Sequence, residues 1–396
     1  MAFYCIKNRT FARMKHIWIV LFALFFISCK EHDPEPEAPI MRKHVVVLYM
    51  IAENSLSSPF AAEDLNEIRQ AITHIPDSCA LVAYVDDSRT DQLPQIISFD
   101  KKAGEKIVFQ YRNDPISADS ATMQQALKII CNKFPAQHYG LVMWSHGSGW
   151  IPQTKAPQRT IGVDNGQNTS SNAGTEMEIS TLANVLKNTG QHWDFVFFDA
   201  CFMQGIEVAY ELRDIADWCI GSPAEIPGRG APYNSIMPDL FRESDEVWRI
   251  AETYYDNYRS KDGLIISALK TSELEALAEA TAPLLATLDE QPTTSGIQKY
   301  LAYCNHAQWK PEYFDMGSAM GKWFTGEEYT TWREALERAV PHRFATEQWT
   351  TVFYSDFNPY ITDPEHIACL SMYIPVEGHK WNDYYRQTAW WKRMRN

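Results

Sequence analysis

The chain has 396 residues, 45% of them hydrophobic, and a formal net charge of −14. That length and apolar content can bury a large core, as one big domain or two coupled ones. The acidic balance, with no basic cluster interleaved with aromatics, argues against a nucleic-acid partner and favours cationic substrates.

The first segment, residues 1–29, reads as a targeting signal. Lys7, Arg9, Arg13 and Lys15 precede an apolar run from Ile17 to Ile27, which is too short to span a membrane. Met14 is a second candidate start. Ser28 before Cys29 resembles the lipobox of bacterial lipoproteins, in which the cysteine is lipid-modified and becomes the mature N-terminus. Phe26 stands where Leu is usual, and plain secretion is the alternative. Removing this segment takes away four cations and no acid, so the charge moves from −14 to −18. Residues 30–42 follow as a disordered tether, acidic and spaced by prolines from Glu31 to Pro39. Its start, Lys30-Glu-His-Asp, resembles the export signals of bacterial surface lipoproteins. The expected location is therefore outside the cytoplasm, with a lipid anchor in the bacterial outer membrane and exposure at the cell surface.

From residue 43 to about 240 strands and helices alternate, which predicts an α/β fold with a mostly parallel sheet covered by helices on both faces. Strand-like runs fall at His44 to Ile51, Ala80 to Val85, Lys106 to Tyr111, Tyr139 to Trp144, Asp194 to Phe198 and Trp218 to Ile220. Amphipathic helices fall between them, one on Ala61, Leu65, Ile68 and Ile72, one on Met123, Ala126, Leu127 and Ile130, and one over Ile179 to Leu186. Residues 241–396 change character and predict an α+β subdomain packed on the sheet. Its helices are expected at Glu246 to Tyr258, Thr271 to Leu288 and Ser295 to Ala307, with β-rich pieces at Trp349 to Tyr354 and Ile367 to Ile374.

Two stretches carry chemistry. Asp194-Phe-Val-Phe-Phe-Asp-Ala-Cys201 reads as a strand buried on both faces, followed by a helical pattern from Phe202 to Ile215. Cys201 is then expected at a helix N-terminus, where the dipole favours the thiolate. A buried structural cysteine is the competing reading. Tyr139-Gly-Leu-Val-Met-Trp-Ser-His-Gly-Ser-Gly-Trp150 ends another strand with His146 among glycines. A His and a Cys at the carboxyl ends of two parallel strands face one crevice, as a Cys–His pair requires. The backbone N–H groups of Gly147 and Cys201 would hold an oxyanion. Asp199, two residues before Cys201, is the candidate partner for an arginine or lysine side chain; capping the following helix is its alternative role. The cysteines at 79, 131, 201, 219, 304 and 369 have neither Cys-x-x-Cys nor zinc-ligand spacing. The Gly-x-Ser-x-Gly elbow and His-Glu-x-x-His are both absent.

Met143 to Trp150, Phe197 to Met203, and Gly221 to Gly228 with Pro232-Tyr233 resemble consecutive blocks of the clostripain-like cysteine peptidases, which share a fold with caspases, legumain and gingipains. Tyr49-Met-Ile-Ala-Glu-Asn-Ser-Leu56 resembles that family's first strand and following turn, and Ser267-Ala-Leu and Leu370 to Pro375 match more loosely. The resemblance implies a caspase-like fold and hydrolysis of peptide bonds after Arg or Lys, by a His146–Cys201 dyad through a thioester. Asp199 would line the S1 pocket, with Glu225 a second pocket acid. It also implies self-cleavage in the loop Ile151 to Glu176, whose basic residues are Lys155 and Arg159; a loop that stays intact is the alternative. Calcium helps some relatives, but no calcium-loop motif is present here and no cofactor is required by the dyad. The rival from another class is an inactive surface lipoprotein that binds peptides or a partner through the same crevice.

Overall fold

The computed structural model describes residues 39–89, 92–151, 161–166, 174–288, 296, 300–304, 312–349 and 366–395. Residues from Ile40 onward make one compact unit. Its strands in chain order are β1 (Arg42–Ala52), β2 (Cys79–Asp87), β3 (Gln95–Asp100), β4 (Gly104–Gln110), β5 (Ala136–Trp144), β6 (Ile161–Asp164), β7 (Thr175–Met177), β8 (Trp193–Asp199), β9 (Ala216–Gly221), β10 (Ile265–Lys270), β11 (Phe314–Asp315), β12 (His342–Ala345) and β13 (Ser371–Met372). Nine of them form the central sheet in the order β12-β10-β9-β8-β5-β1-β2-β3-β4. The middle five are mutually parallel. The hairpin β3–β4 on one side and β10–β12 on the other run antiparallel.

The parallel centre follows from composition. A strand of Val, Leu, Tyr and Ile with few polar breaks has no face to give to water, so helices must cover both sides. In β1 every residue from His44 to Ala52 is buried. Its alternate residues Val45, Val47, Tyr49 and Ile51 enter one core, and Val46, Leu48 and Met50 the other. The second core is closed by α1 (Ala62–Ala71), through Leu65 and Ile68. The first is closed by α2 (Ser120–Lys133), α3 (Ile179–Asn188) and α4 (Ile206–Glu211), through Met123, Leu127, Leu182, Leu186 and Ile206. Helix α5 (Arg249–Tyr258) returns to the second core with Ile250 and Tyr254. Helices α6 (Leu274–Ala286), α7 (Met316–Trp323), α8 (Gly326–Ala339) and α9 (Ala389–Arg395) extend the first core with Leu277, Met320, Trp332 and Trp390.

The part after residue 240 does more than pack on the sheet, because β10 and β12 are strands of it. Gln204 helps to join β10 to β9: its side-chain amide donates to the carbonyls of Cys219 and Ser267, both at 3.2 Å, and to the Ser267 hydroxyl at 3.0 Å. The segment 300–304 is not helical, where a helix over Ser295 to Ala307 is expected: its buried Tyr-Leu-Ala-Tyr-Cys run bridges Phe314 through Ala302, with Tyr303 N–H donating to the Tyr313 carbonyl at 2.8 Å. Most of that helix, and all but Trp349 of the β piece Trp349 to Tyr354, lie outside the described residues. So do residues 1–38, with Cys29 and most of the tether.

Helix α2 carries a side-chain cap that gives a direct test. Asp119 accepts from the backbone N–H groups of Ala121 at 2.9 Å and Thr122 at 3.3 Å. Asp119→Ala should cost about 1 kcal/mol of stability, read from urea unfolding, with activity per folded molecule unchanged.

Candidate active site

The register of β5 against β8 sets the site. Trp144 pairs with Asp199, the last residue of each strand, so His146 and Cys201 each lie two residues past a paired position at the carboxyl edge of the sheet. The two turns then pack directly together. A Cβ on Gly147 would lie 2.7 Å from the Cys201 carbonyl oxygen and 3.0 Å from the Ala200 Cβ, so only glycine fits there. Gly149, at φ +65°, bends the chain under the Phe202 carbonyl.

Neighbouring strands hold the histidine turn. The Ser145 hydroxyl donates to the Ile51 carbonyl at 2.8 Å and accepts from the Val163 N–H at 3.2 Å. The Gly162 N–H donates to the His146 carbonyl at 3.0 Å. Strand β6 therefore lies within what the composition read as an irregular loop, because Ile161 and Val163 find buried places beside β1. Ser55 Oγ lies 3.0 Å from His146 Nε2, so a hydroxyl just after β1 helps to orient the imidazole. Ser55 falls inside the recognisable block Tyr49 to Leu56, but nothing in its spacing marks it as a partner of residue 146.

Cys201 departs from expectation. The helix does not start beside it: residues 200–203 turn, Phe202 takes φ 60°, and α4 begins only at Ile206 with Gly205 as its cap. Backbone bonds to the next crossover impose this, from Phe202 N–H to the Ala224 carbonyl at 2.9 Å and from Gln204 N–H to the Ser222 carbonyl at 3.0 Å. The helix dipole is thus too remote to lower the thiol pKa. Burial, then the charge of Glu225, instead push the partly exposed Cys201 thiol up to about 12, against one N–H donor, that of Ile226 at 3.5 Å from Sγ.

Asp199 sits beneath this turn and is buried. It accepts from the Ala231 N–H at 2.9 Å, the Tyr233 hydroxyl at 3.0 Å and the Tyr254 hydroxyl at 3.4 Å. Desolvation raises its pKa to about 6 in spite of those donors. Asp64 of α1 is its acidic neighbour, buried, with one oxygen taking the indole N–H of Trp144 at 2.7 Å. Burial and the charge of Asp199 raise Asp64 to about 9. Neither carboxyl has an ion-pair partner among the described residues. Asp64 was legible as an acid on the apolar face of α1, three residues from Ala61 and four from Ile68. Glu225 is buried in the loop after β9, near enough to the sulfur to raise its pKa. Lys155 and Arg159 lie outside the described residues.

A family model described as the clostripain family matches residues 48–386. The chain belongs to the clostripain family. It is a cysteine protease, a hydrolase, and acts on peptides or proteins. Among solved structures it is similar to a secreted C11 cysteine protease from Bacteroides thetaiotaomicron in complex with an irreversible peptide inhibitor, at 32% identity and TM-score 0.77, over 89% of this chain and 98% of that one. An inactive zymogen C11 protease from Parabacteroides distasonis is 28% identical with TM-score 0.75, over 90% and 99% of the two chains. Among the curated proteins none matches. The caspase-like sheet expected from the clostripain-like blocks is the fold found.

Three outcomes follow for this clostripain-family site. Gly147→Ala should lower kcat/KM about 100-fold, because the added Cβ must push the histidine turn away from Cys201; thermal unfolding measured beside it separates lost geometry from lost fold. Because the resting thiol is raised, its alkylation by iodoacetamide should climb about tenfold per pH unit through pH 9, with no plateau near neutrality. Glu225→Gln should speed alkylation at pH 8, read at the Cys201 peptide by mass spectrometry.

Proposed function

We propose that the protein is an exported endopeptidase that cleaves after arginine or lysine, with Cys201 as nucleophile and His146 as acid and base. The observation that carries this reading is the direct packing of Gly147 on the Ala200–Cys201 turn, with His146 adjoining. In the reaction Cys201 passes its proton to His146 and attacks the carbonyl carbon, while the N–H groups of Gly147 and Cys201 hold the oxyanion. His146 then gives that proton to the leaving amine as the peptide bond breaks. A water molecule, losing a proton to His146, hydrolyses the thioester and restores the thiol.

The raised thiol pKa and the preference for a basic P1 residue have a common origin in this scheme. The charges of Glu225 and Asp199 both push the thiol up, in that order. A cationic P1 side chain would neutralise them, with Asp199 as its main partner, and would so favour the thiolate when substrate is bound. Gly230, which presents no side chain to Asp199, supports access to that carboxylate. Self-cleavage after Lys155 or Arg159 fits the same specificity, and the zymogen among the similar structures supports such activation. The lipid anchor at Cys29 and the outer-membrane location belong to this proposal as well.

Fluorogenic peptides with Arg, Lys, Asp or Leu at P1, offered to residues 30–396 under reducing conditions, provide the test. Cleavage after Arg or Lys that Cys201→Ala abolishes is expected, with Asp199→Asn lowering kcat/KM for basic peptides by about 100-fold. Equal turnover of all four peptides would overturn the specificity, and activity surviving in Cys201→Ala would overturn the nucleophile.

A further inference from the structure

The opposite edge of the sheet, where its parallel strands begin, carries a separate group of ligating side chains. His192 comes just before β8, Asp194 is the second residue of β8 and Asp217 the second of β9, and Trp193 pairs with Ala216 beside them. His192, Asp194 and Asp217 each offer one atom, and the three atoms lie within 4.8 Å of one another. His192 Nε2 is 3.0 Å from Asp217 Oδ1. Zinc bonds of about 2.0 to 2.1 Å at tetrahedral angles set ligand atoms about 3.3 Å apart, a spacing that side-chain rotation reaches from here. A second observation concerns contacts outside the three. Asp217 takes the Ser244 hydroxyl on Oδ2 at 3.0 Å and turns Oδ1 to His192. Asp194 Oδ2 lies 3.1 Å from Nδ1 of His138 in β5. Ligating carboxylates in metal sites are held by outer partners in this way. Asp194 is buried, whereas the side chains of His192 and Asp217 are 66% and 45% exposed, so an ion has a path from solvent.

We propose that His192, Asp194 and Asp217 bind one zinc ion, with water as its fourth ligand. An imidazole beside two carboxylates is a mixed nitrogen and oxygen set, which suits zinc, whereas calcium and magnesium prefer oxygen alone. Burial raises the pKa of Asp194 against the pull of His138, and the charge of Asp217 adds to the rise. A dication between the two carboxylates offsets both effects. The ion fastens the start of β8 to the start of β9, at the end of β8 remote from Cys201, so its role is structural. Nothing in this site depends on the proposed cleavage specificity.

Zinc itself is the probe, titrated in competition with a chromophoric chelator and read by absorbance. The protein is residues 30–396 without an affinity tag, which include the whole compact unit from Ile40, carrying Cys201→Ala so that the catalytic thiol cannot take the metal. Uptake of one zinc ion per chain at micromolar concentration is expected, undisturbed by excess calcium. Affinity should fall about tenfold or more in His192→Ala and in Asp217→Asn. His74→Ala, changing an exposed histidine outside the group, should bind zinc as the parent does. Zinc should also raise the midpoint of thermal unfolding in the parent and not in His192→Ala. Circular dichroism checks each variant, and if one misfolds the other decides. Absence of saturable uptake, uptake undiminished in a folded His192→Ala or Asp217→Asn, or an equal loss in His74→Ala would overturn the site. Displacement of zinc by equal calcium would overturn the choice of ion, and an unmoved midpoint would overturn the structural role.

Discussion

The pairing of β5 with β8 is the constraint on which the site depends. Side chains alternate across a sheet with period two, so a slip of one residue would turn Phe197 and Val196 to the opposite cores as well as separating the two turns. Hydrophobic burial on both faces therefore enforces the same register that sets His146 and Cys201 level with each other. Stability and catalytic geometry are linked here through one ladder of backbone hydrogen bonds.

Around that ladder several buried acids gather at one edge of the sheet. Asp64 and Asp199 lie beneath the nucleophile's turn, Glu225 beside it, and Glu53, Asp86 and Asp164 a strand away. Burial and the charges of Glu225 and Asp199 disfavour the thiolate. The cationic P1 side chain proposed above would relieve those two charges. The resting chain accordingly keeps its thiol protonated.

Much of this was legible in the residues themselves. Near-continuous apolar runs identified all five central parallel strands, because a doubly covered strand tolerates little else. Strand β3 escaped, since Gln95-Ile-Ile-Ser-Phe-Asp100 is short and its hairpin depends on pairing across a tight turn. Strands β10 and β12 escaped as members of the sheet because joining it is a tertiary choice. In the site, His146, Cys201 and Asp199 could be singled out from motif and position. The state of the thiol could not. Apolar periodicity from Ile206 was extended back to Phe202, whereas bonds to residues 222 and 224 hold that stretch in a turn. Ser55 and the Glu53–Asp86–Asp164 group were invisible for the same reason: their members meet only once β1, β2 and β6 are in place.

The two catalytic turns also receive their last supports from the end of the chain. Tyr313 stacks on Phe202 with ring centres 4.7 Å apart and donates to the Ser148 carbonyl at 2.6 Å. Ser371 N–H donates to the Gln204 carbonyl at 2.9 Å, and Trp390 packs on Tyr210. A ribosome reaches those residues after both catalytic turns. From residue 201 to residue 313 the nascent polypeptide thus carries its nucleophile without the struts that order it, and the order of translation itself delays the assembly of the site.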